Sequence, residues 1–540
     1  MTGATPEGRQ LAAMASQEDQ LLVIAPPGCG KTELLAMRAE HLVRTGRVRK
    51  LRKLLAITYS KRARDNMRRR IELRLGRELT SKYVTVLNFH GLAGRIVRSH
   101  ASTLDIPHDF VMPNRRWLAD TATALGADWK SRQAAEARLQ ALKSLPASDD
   151  EIQSQLGGRG DELALAIERA RIDENRLDYG DLIRHAQRLL LVPEVAALYQ
   201  EHFDALLVDE FQDLSMQQLD IVSRACLRNA TYVGDPLQGI YSWAGAEPER
   251  VEAELMARCG DRVDLNISYR SSPEVLAMVN SVGVPIGATL LTAADPDSWG
   301  AKQRTRSLSF DDEEAEAAHV ADFAANLVRS KPSLSVGIIA RSGHRRVHLD
   351  NAIAQVSDVP VQFWDMALDH PGLLSTLRTA AAGIGASLSL EDQLEALRAR
   401  ALLTLGDDDV DTVNVLDDAV DLLRQRAAPG DSVRATLSRI RAVETEDVAS
   451  PGVHALNAHL GKGQQFDWVA VIGLEEGHVP DWRNPDDPEE ARVLMVMLSR
   501  AKRGLLVSRA KTVKTKFGTV KRVPASRWWD ALASAAQRSS

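Results

Sequence analysis

Four apolar residues, Leu21–Ile24, run straight into Ala25-Pro26-Pro27-Gly28-Cys29-Gly30-Lys31-Thr32, and a stretch with helical spacing follows. A short run that is apolar throughout reads as a strand buried on both faces. Such a strand, leading through a glycine-rich loop into a helix, commits the chain to an α/β sheet, because parallel strands need a crossover helix between them. The loop carries chemistry of its own. Backbone N–H groups from Gly28 to Thr32 can wrap phosphate oxygens at a helix N-terminus. Glycine permits the close approach, Lys31 is placed to pair with the β- and γ-phosphates, and Thr32 to bind Mg²⁺. Ala25 stands where the usual pattern has a first glycine. Pro26 and Pro27 have no N–H to donate and stiffen the entry. Cys29 reads as a small loop residue.

Further short apolar runs repeat the theme. Leu54–Thr58, Ala205–Val208 and Thr231–Val233 group with Leu21–Ile24, and Val336–Ala340, Val469–Ile472 and Leu505–Val507 form a second group. Helical patterns lie between them, so the expected fold is two doubly wound parallel sheets. Residues 101–177 and 371–448 show helical periodicity without clear strands and read as mainly helical insertions, one in each α/β domain. Asp311-Asp312-Glu313-Glu314 and Asp407-Asp408-Asp409 read as helix starts or solvated loops. A chain of 540 residues, 44% hydrophobic and 26% charged, is too long for one core and has an ordinary globular composition. No run is apolar enough to cross a membrane, and Met1–Pro6 has no signal character. The three cysteines form no metal-ligand spacing, which makes the cytoplasm the expected location. The net charge of −5 is neutral on nucleic acid, since a phosphate groove needs only local positive charge. Two local basic stretches exist, from Arg44 to Arg70 and from Arg500 to Arg527, each also readable as a solvated helix face.

The run Ala205–Val208 ends in Asp209-Glu210-Phe211-Gln212-Asp213, which puts carboxylates at the ligand edge of a parallel sheet. Asp209 suits the second shell of a Mg²⁺ ion, and Glu210 suits the residue that orients or deprotonates an attacking water. This segment resembles motif II of the superfamily-one helicases of the UvrD/Rep/PcrA type, and the other motifs follow in that family's order over nearly the whole chain. Gln10, fifteen residues before Ala25, resembles the Q motif, whose amide matches an adenine edge. Thr58-Tyr59-Ser60-Lys61-Arg62-Ala63 resembles motif Ia, Asn88-Phe89-His90-Gly91-Leu92-Ala93 motif Ib, and Gly234–Trp243 motif III. Ser268-Tyr269-Arg270-Ser271 resembles motif IV, Asn457–Phe466 motif V, and Glu489–Arg492 with Leu498–Ala501 motif VI.

The resemblance implies two RecA-like motor domains. The first spans 1–100 and 178–265 around the insertion 101–177; the second spans 266–370 and 449–540 around the short insertion 371–448. It also implies ATP and Mg²⁺ as cofactors. Gln238 would sense the γ-phosphate, Tyr269 stack on adenine, Arg270 reach the γ-phosphate, Gln465 lie at the ribose, and Arg500 act as an arginine finger across the domain cleft. Thr58, Tyr59, Phe89, His90, Tyr241, Trp243 and His459 would face DNA, with the aromatic rings as stacking candidates. The sequence departs from the family at Ala244, usually Arg; at Gln465, usually Glu; and at Ala491 and Met495, usually Arg and Tyr. The implied activity is ATP-driven movement along single-stranded DNA, 3′ to 5′ by the family's habit. A DNA-stimulated ATPase or ATP-gated sensor within a larger complex, such as a Gabija-type anti-phage system with a partner nuclease, stays open. In the family the second insertion carries a large accessory domain that contacts duplex. Here the segment left after an outgoing stretch, about 401–441, is expected to have little core of its own and to pack on a neighbour.

Overall fold

The computed structural model describes residues 7–104, 106–111, 115–240, 246–300, 304–356, 358–364, 373–385, 388–405, 416–417, 419–424, 427, 430–439, 450–458, 464–483, 485, 488–514 and 519–538. It divides into two compact units, Met1–Ala25 with Gly30–Leu265, and Pro26–Cys29 with Asn266–Ser540.

Six strands build the first unit: β1 (Gln20–Ile24), β2 (Lys53–Thr58), β3 (Val84–Asn88), β4 (Phe203–Asp209), β5 (Ala230–Gly234) and β6 (Asp261–Asp264). They pair in the order β3-β2-β4-β5-β1-β6, every neighbour parallel. Parallel strands end on one edge, so Ile24, Thr58, Asn88, Asp209 and Gly234 all close on the same side of the sheet. β4 is buried along its full length, as its unbroken apolar run implied. Two strands escaped the sequence reading. β3 alternates buried and half-buried residues, and β6, Asp261-Arg262-Val263-Asp264, has two exposed and two half-buried residues. Both are edge strands with one neighbour, where a continuous apolar run is not required.

The helices follow local signals. Before the first insertion lie α1 (Gly8–Ala15), α2 (Lys31–Arg44), α3 (Lys61–Leu75), α4 (Arg77–Tyr83) and α5 (Phe89–His100). The Ser60 hydroxyl accepts from Ala63 N at 3.1 Å and caps α3. The Asn88 side chain accepts from Gly91 N at 2.8 Å and caps α5. Residues 101–177 hold the helices Arg115–Ala124, Trp129–Lys143, Asp149–Arg159 and Glu162–Asp173, gathered on a small core that includes Leu139, Leu142, Ile152, Leu156 and Ile167. A buried charge cluster joins them to the helix Tyr179–Leu191. Lys143 Nζ lies 3.0 Å from Glu168, 2.7 Å from Asp178 and 2.9 Å from Asp181.

The second unit contains the short pair β7 (Ile267–Ser268) and β8 (Thr292–Ala293), and a sheet of β9 (Thr305–Asp312), β10 (Ser335–Ala340), β11 (Val361–Phe363), β12 (Gly452–Asn457), β13 (Phe466–Val471), β14 (Ala501–Lys514) and β15 (Val520–Arg522). Its order is β11-β12-β10-β13-β14-β15, with β9 parallel to β14 and β15 antiparallel to it. The basic stretch after Arg500 is therefore largely strand, and the reading of it as a solvated helix face is corrected. Leu505–Val507 are buried between β13 and β9, and the last residues of β14 pair with β15. Asp312 does start a helix: its carboxylate accepts from Ala315 N at 2.8 Å and caps Glu313–Ser330. Asp407–Asp409 lie outside the described residues.

The second insertion corrects an expectation. Leu373, Leu377, Leu394, Leu397, Leu416, Leu423, Val433 and Leu437 are buried together in one cluster drawn wholly from residues 373–437. The segment has a core because residues 373–397, read from sequence as a way out of the motor domain, supply about half of it, and the remainder packs on them.

Candidate nucleotide and DNA site

Three adjacent strands, β4, β5 and β1, deliver the chemistry to one sheet edge. After β1 the loop turns at Gly28 and Gly30, with φ of +85° and +81°, a region that glycine enters without strain. Gly30 caps α2, and Lys31 and Thr32 open it. Lys31 Nζ lies 3.2 Å from Glu210 Oε2 and donates to Gln238 Oε1 at 3.2 Å. Residues 207 positions apart in the chain thus meet at one ammonium.

Glu210 follows β4 with φ of +55° and ψ of +51°, a left-handed conformation that costs a non-glycine residue about 1–3 kcal/mol. The strain turns its carboxylate back towards Lys31. Gln212, missed by the sequence reading, fixes that carboxylate: its Nε2 donates to Glu210 Oε2 at 2.6 Å, and its Oε1 accepts from Asp235 N at 3.0 Å. Asp235 was also missed. It accepts from Gln238 Nε2 at 2.7 Å and from Leu237 N at 3.1 Å. The acid in Gly234-Asp235-Pro236 was the available signal, overlooked beside Gln238.

Electrostatics set the task of the pocket. Burial alone would lower the Lys31 pKa, yet Glu210, then Asp235 and Asp209, outweigh it and hold the ammonium above the ordinary lysine value. Burial, then Glu210, pushes Asp209 up to about 7 against the pull of Lys31. Burial raises Asp235 as well, opposed by Lys31. Several carboxylates therefore share one nearby ammonium. Asp209 Oδ1 is buried with no hydrogen-bond partner. A buried carboxylate oxygen of this kind beside excess negative charge has the character of a ligand for a hard divalent cation.

Gln10 lies in α1, is 4% exposed, and accepts from Glu7 N at 3.3 Å. A Cβ added to Gly30 would come within 2.9 Å of Gln10 Nε2, so the amide rests against the phosphate loop. Ala25 is buried and donates its N–H to Gly234 O at 2.7 Å. Cys29 is buried, and its N–H reaches Pro26 O at 3.2 Å, which leaves Pro27 at the turn.

The DNA candidates divide. Tyr59 is 41% exposed at the start of α3. His90 packs edge-on against Tyr179 with ring centroids 4.6 Å apart. Phe89 is 4% exposed and packs in the core with Leu92, Ile96 and Leu182, a placement that favours core packing over base stacking. The Thr58 side chain is fully buried, and its Oγ1 donates to Ser60 O at 3.2 Å. Tyr241, Trp243 and His459 lie outside the described residues. The different burial of Tyr59 and Phe89 gives a paired expectation. Tyr59→Ala should weaken single-strand binding by about 1–3 kcal/mol with an unchanged melting temperature. Phe89→Ala should instead cost about 3–5 kcal/mol of stability. Fluorescence anisotropy with an oligo(dT) strand, set beside thermal melts, checks both.

In the second unit Tyr269 and Arg270 are half-buried just beyond β7, and Gln465 is half-buried just before β13. Arg500 is 2% exposed in the connection from the helix Pro488–Leu498 to β14, and its Nη2 donates to Ala458 O at 2.5 Å. Arg341 forms an ion pair with the buried Glu490.

Residues 7–255 match the family model described as the UvrD/REP helicase N-terminal domain. The chain is 30% identical over 292 residues to the ATP-dependent DNA helicase PcrA of Leuconostoc citreum, covering 51% of this chain and 38% of that protein. It is 29% identical over 288 residues to DNA helicase II of Escherichia coli, covering 51% and 39%. With the ATP-dependent DNA helicase UvrD2 of Mycobacterium tuberculosis it is 28% identical over 570 aligned residues, 93% of this chain and 78% of that one. The chain thus spans well under half the length of the first two relatives and most of the third. No described helix is long and apolar enough to cross a membrane. Residues 7–255 thus carry the UvrD/REP helicase N-terminal domain, and along most of its length the chain is similar to the UvrD-type helicase UvrD2.

Proposed function

We propose that this chain is an ATP-driven motor that moves along single-stranded DNA, a helicase of 3′-to-5′ polarity. The observation that carries the reading is the meeting of Lys31, Glu210 and Gln238 beside the unpartnered Asp209 oxygen. Lys31 and the N–H groups of the loop hold the β- and γ-phosphates. Asp209 and Thr32 would hold Mg²⁺, which supplies charge neutralisation at the phosphates. Glu210, held by Gln212, orients the attacking water and takes its proton. Gln238 reports the γ-phosphate through its bond to Lys31. Gln10, with Tyr269, reads the base; Gln465 lies at the ribose; Arg270 and Arg500 supply guanidinium charge to the γ-phosphate. Tyr59, His90, Tyr241, Trp243 and His459 grip the strand. The relatives bear helicase names, which favours this reading over an ATP-gated sensor within a larger complex.

The second insertion shapes the expected activity. Its described arginines include Arg398, paired with Asp417 at 2.5 Å, and Arg424, paired with Glu391 at 2.8 Å. Charge spent on internal carboxylates is not offered to a duplex. The monomer is expected to travel fast on single strands and to separate long duplexes poorly, since each base-pair step opposes it by about 1.4 kcal/mol. Stopped-flow translocation on tailless single strands, compared with unwinding of a 3′-tailed duplex, tests this. Absence of DNA-stimulated ATP hydrolysis would sink the motor reading itself. Efficient unwinding of a long duplex by the monomer would sink only the claim about the insertion.

A further inference from the structure

Two turns beyond Lys31, helix α2 carries a second inward-facing cation. Arg38 is fully buried. Its Nη1 donates to the main-chain carbonyls of Met14 at 2.8 Å and Ser16 at 2.6 Å, and its Nε donates to Thr231 Oγ1 at 3.3 Å. Met14 and Ser16 form the C-terminal end of α1, where helix carbonyls lack intrahelical partners and a cation is favoured. Thr231 lies in β5, the strand that leads into Asp235 and Gln238. One side chain therefore fastens together the helix of Gln10, the helix of Lys31 and the strand before Gln238.

The fastening is not an ordinary ion pair. All three acceptors are neutral, and Arg38 Nη2 is buried without a partner. Burial and the neighbouring Arg47 press the Arg38 pKa down to about 10, so the group stays charged at neutral pH. A buried cation without a carboxylate costs stability. Stability therefore does not account for a guanidinium here, whereas geometry does. A planar fork can hold two carbonyls and a hydroxyl at once, which fixes the direction of α1 more tightly than apolar packing does. The far end of that short helix places the Gln10 amide against Gly30.

We propose that Arg38 is a positioning residue for base selection: by locking the end of α1 it sets the Gln10 amide where it pairs with adenine and leaves other bases unmatched. The inference rests on the reading of Gln10 as the adenine contact. A polar site rejects a wrong partner only when its donor and acceptor are held in place.

Steady-state hydrolysis of ATP and GTP by the full chain, stimulated by oligo(dT), tests it in the wild type, Gln10→Ala, Arg38→Met and Arg38→Lys. Arg38→Met is expected to raise KM for ATP ~10-fold, the scale of one lost directed contact, with kcat within ~2-fold. KM for GTP should barely move, so the preference for ATP collapses as it does in Gln10→Ala. Arg38→Lys, a point donor that cannot hold all three acceptors, should fall between, near ~3-fold. A wild-type ATP/GTP ratio in Arg38→Met, or an equal loss of kcat on both nucleotides with a lowered melting temperature, overturns the proposal while Gln10→Ala keeps the adenine reading alive. An unchanged ratio in Gln10→Ala overturns that reading and this inference with it. Should Arg38→Met not fold, Arg38→Lys decides: a shift of the same sign supports the proposal, and an unchanged ratio overturns it.

Discussion

Glu210→Gln is expected to cut DNA-stimulated ATP hydrolysis by ~10²–10⁴, the range for losing a positioned general base, while ATP still binds. The substitution keeps size and one acceptor oxygen but removes the negative charge that, in the proposed mechanism, would take the proton of the attacking water. It also removes the main attraction that holds the Lys31 ammonium above its ordinary pKa, while Asp235 and Asp209 remain beside it. Lys31→Ala should differ in kind. It removes the cation that three carboxylates share and that would hold the phosphates, so nucleotide affinity and turnover are expected to fall together. Single-turnover hydrolysis and equilibrium binding of a fluorescent ATP analogue separate the two. If Glu210→Gln turned over at the wild-type rate, the strained backbone at Glu210 and its bond from Gln212 would need another purpose. A loss of binding equal to the loss of rate would place Glu210 in nucleotide binding instead.

The parts legible in the sequence are those whose chemistry sits in contiguous residues. The run Leu21–Thr32 fixed strand, loop and helix together, because burial on both faces, positive φ at glycine and a helix N-terminus each leave a local mark. Asp209 and Glu210 were visible for the same reason. What stayed hidden depended on packing between distant segments. Phe89 and Tyr59 each lead a motif with an aromatic ring, and only the tertiary fold puts one in the core and the other in solvent. The second insertion seemed too small for a core because its first two helices were assigned elsewhere; their apolar faces meet those of residues 416–437. Gln212 and Asp235 belong to separate motifs, and their bond appears only when β4 and β5 lie side by side. Arg38 is one arginine among many in a helical stretch, and no local pattern announces that its partners are the carbonyls of another helix.

Arg500→Ala is expected to lower kcat by ~10³ or more, the range for losing an arginine finger, with ATP affinity changed far less. Arg500 is buried at a turn between helix and strand, with Ala458 O as an acceptor for its Nη2. A main-chain carbonyl is a neutral acceptor, whereas a phosphoryl oxygen carrying developing charge forms a charge-assisted bond roughly twice as strong. That difference favours the guanidinium most in the transition state, and an interaction made only there lowers the barrier without tightening substrate binding. Arg500→Lys separates charge from geometry. It keeps the charge but loses the planar fork, so it should recover only a small part of the rate. Because the anchor to Ala458 O is lost as well, melting temperature is measured beside kcat. A fall in stability with normal turnover in the folded fraction would make Arg500 a structural residue of the second unit and remove it from the chemistry. A fall in kcat at unchanged stability, with KM nearly preserved, is the outcome that the proposed role requires.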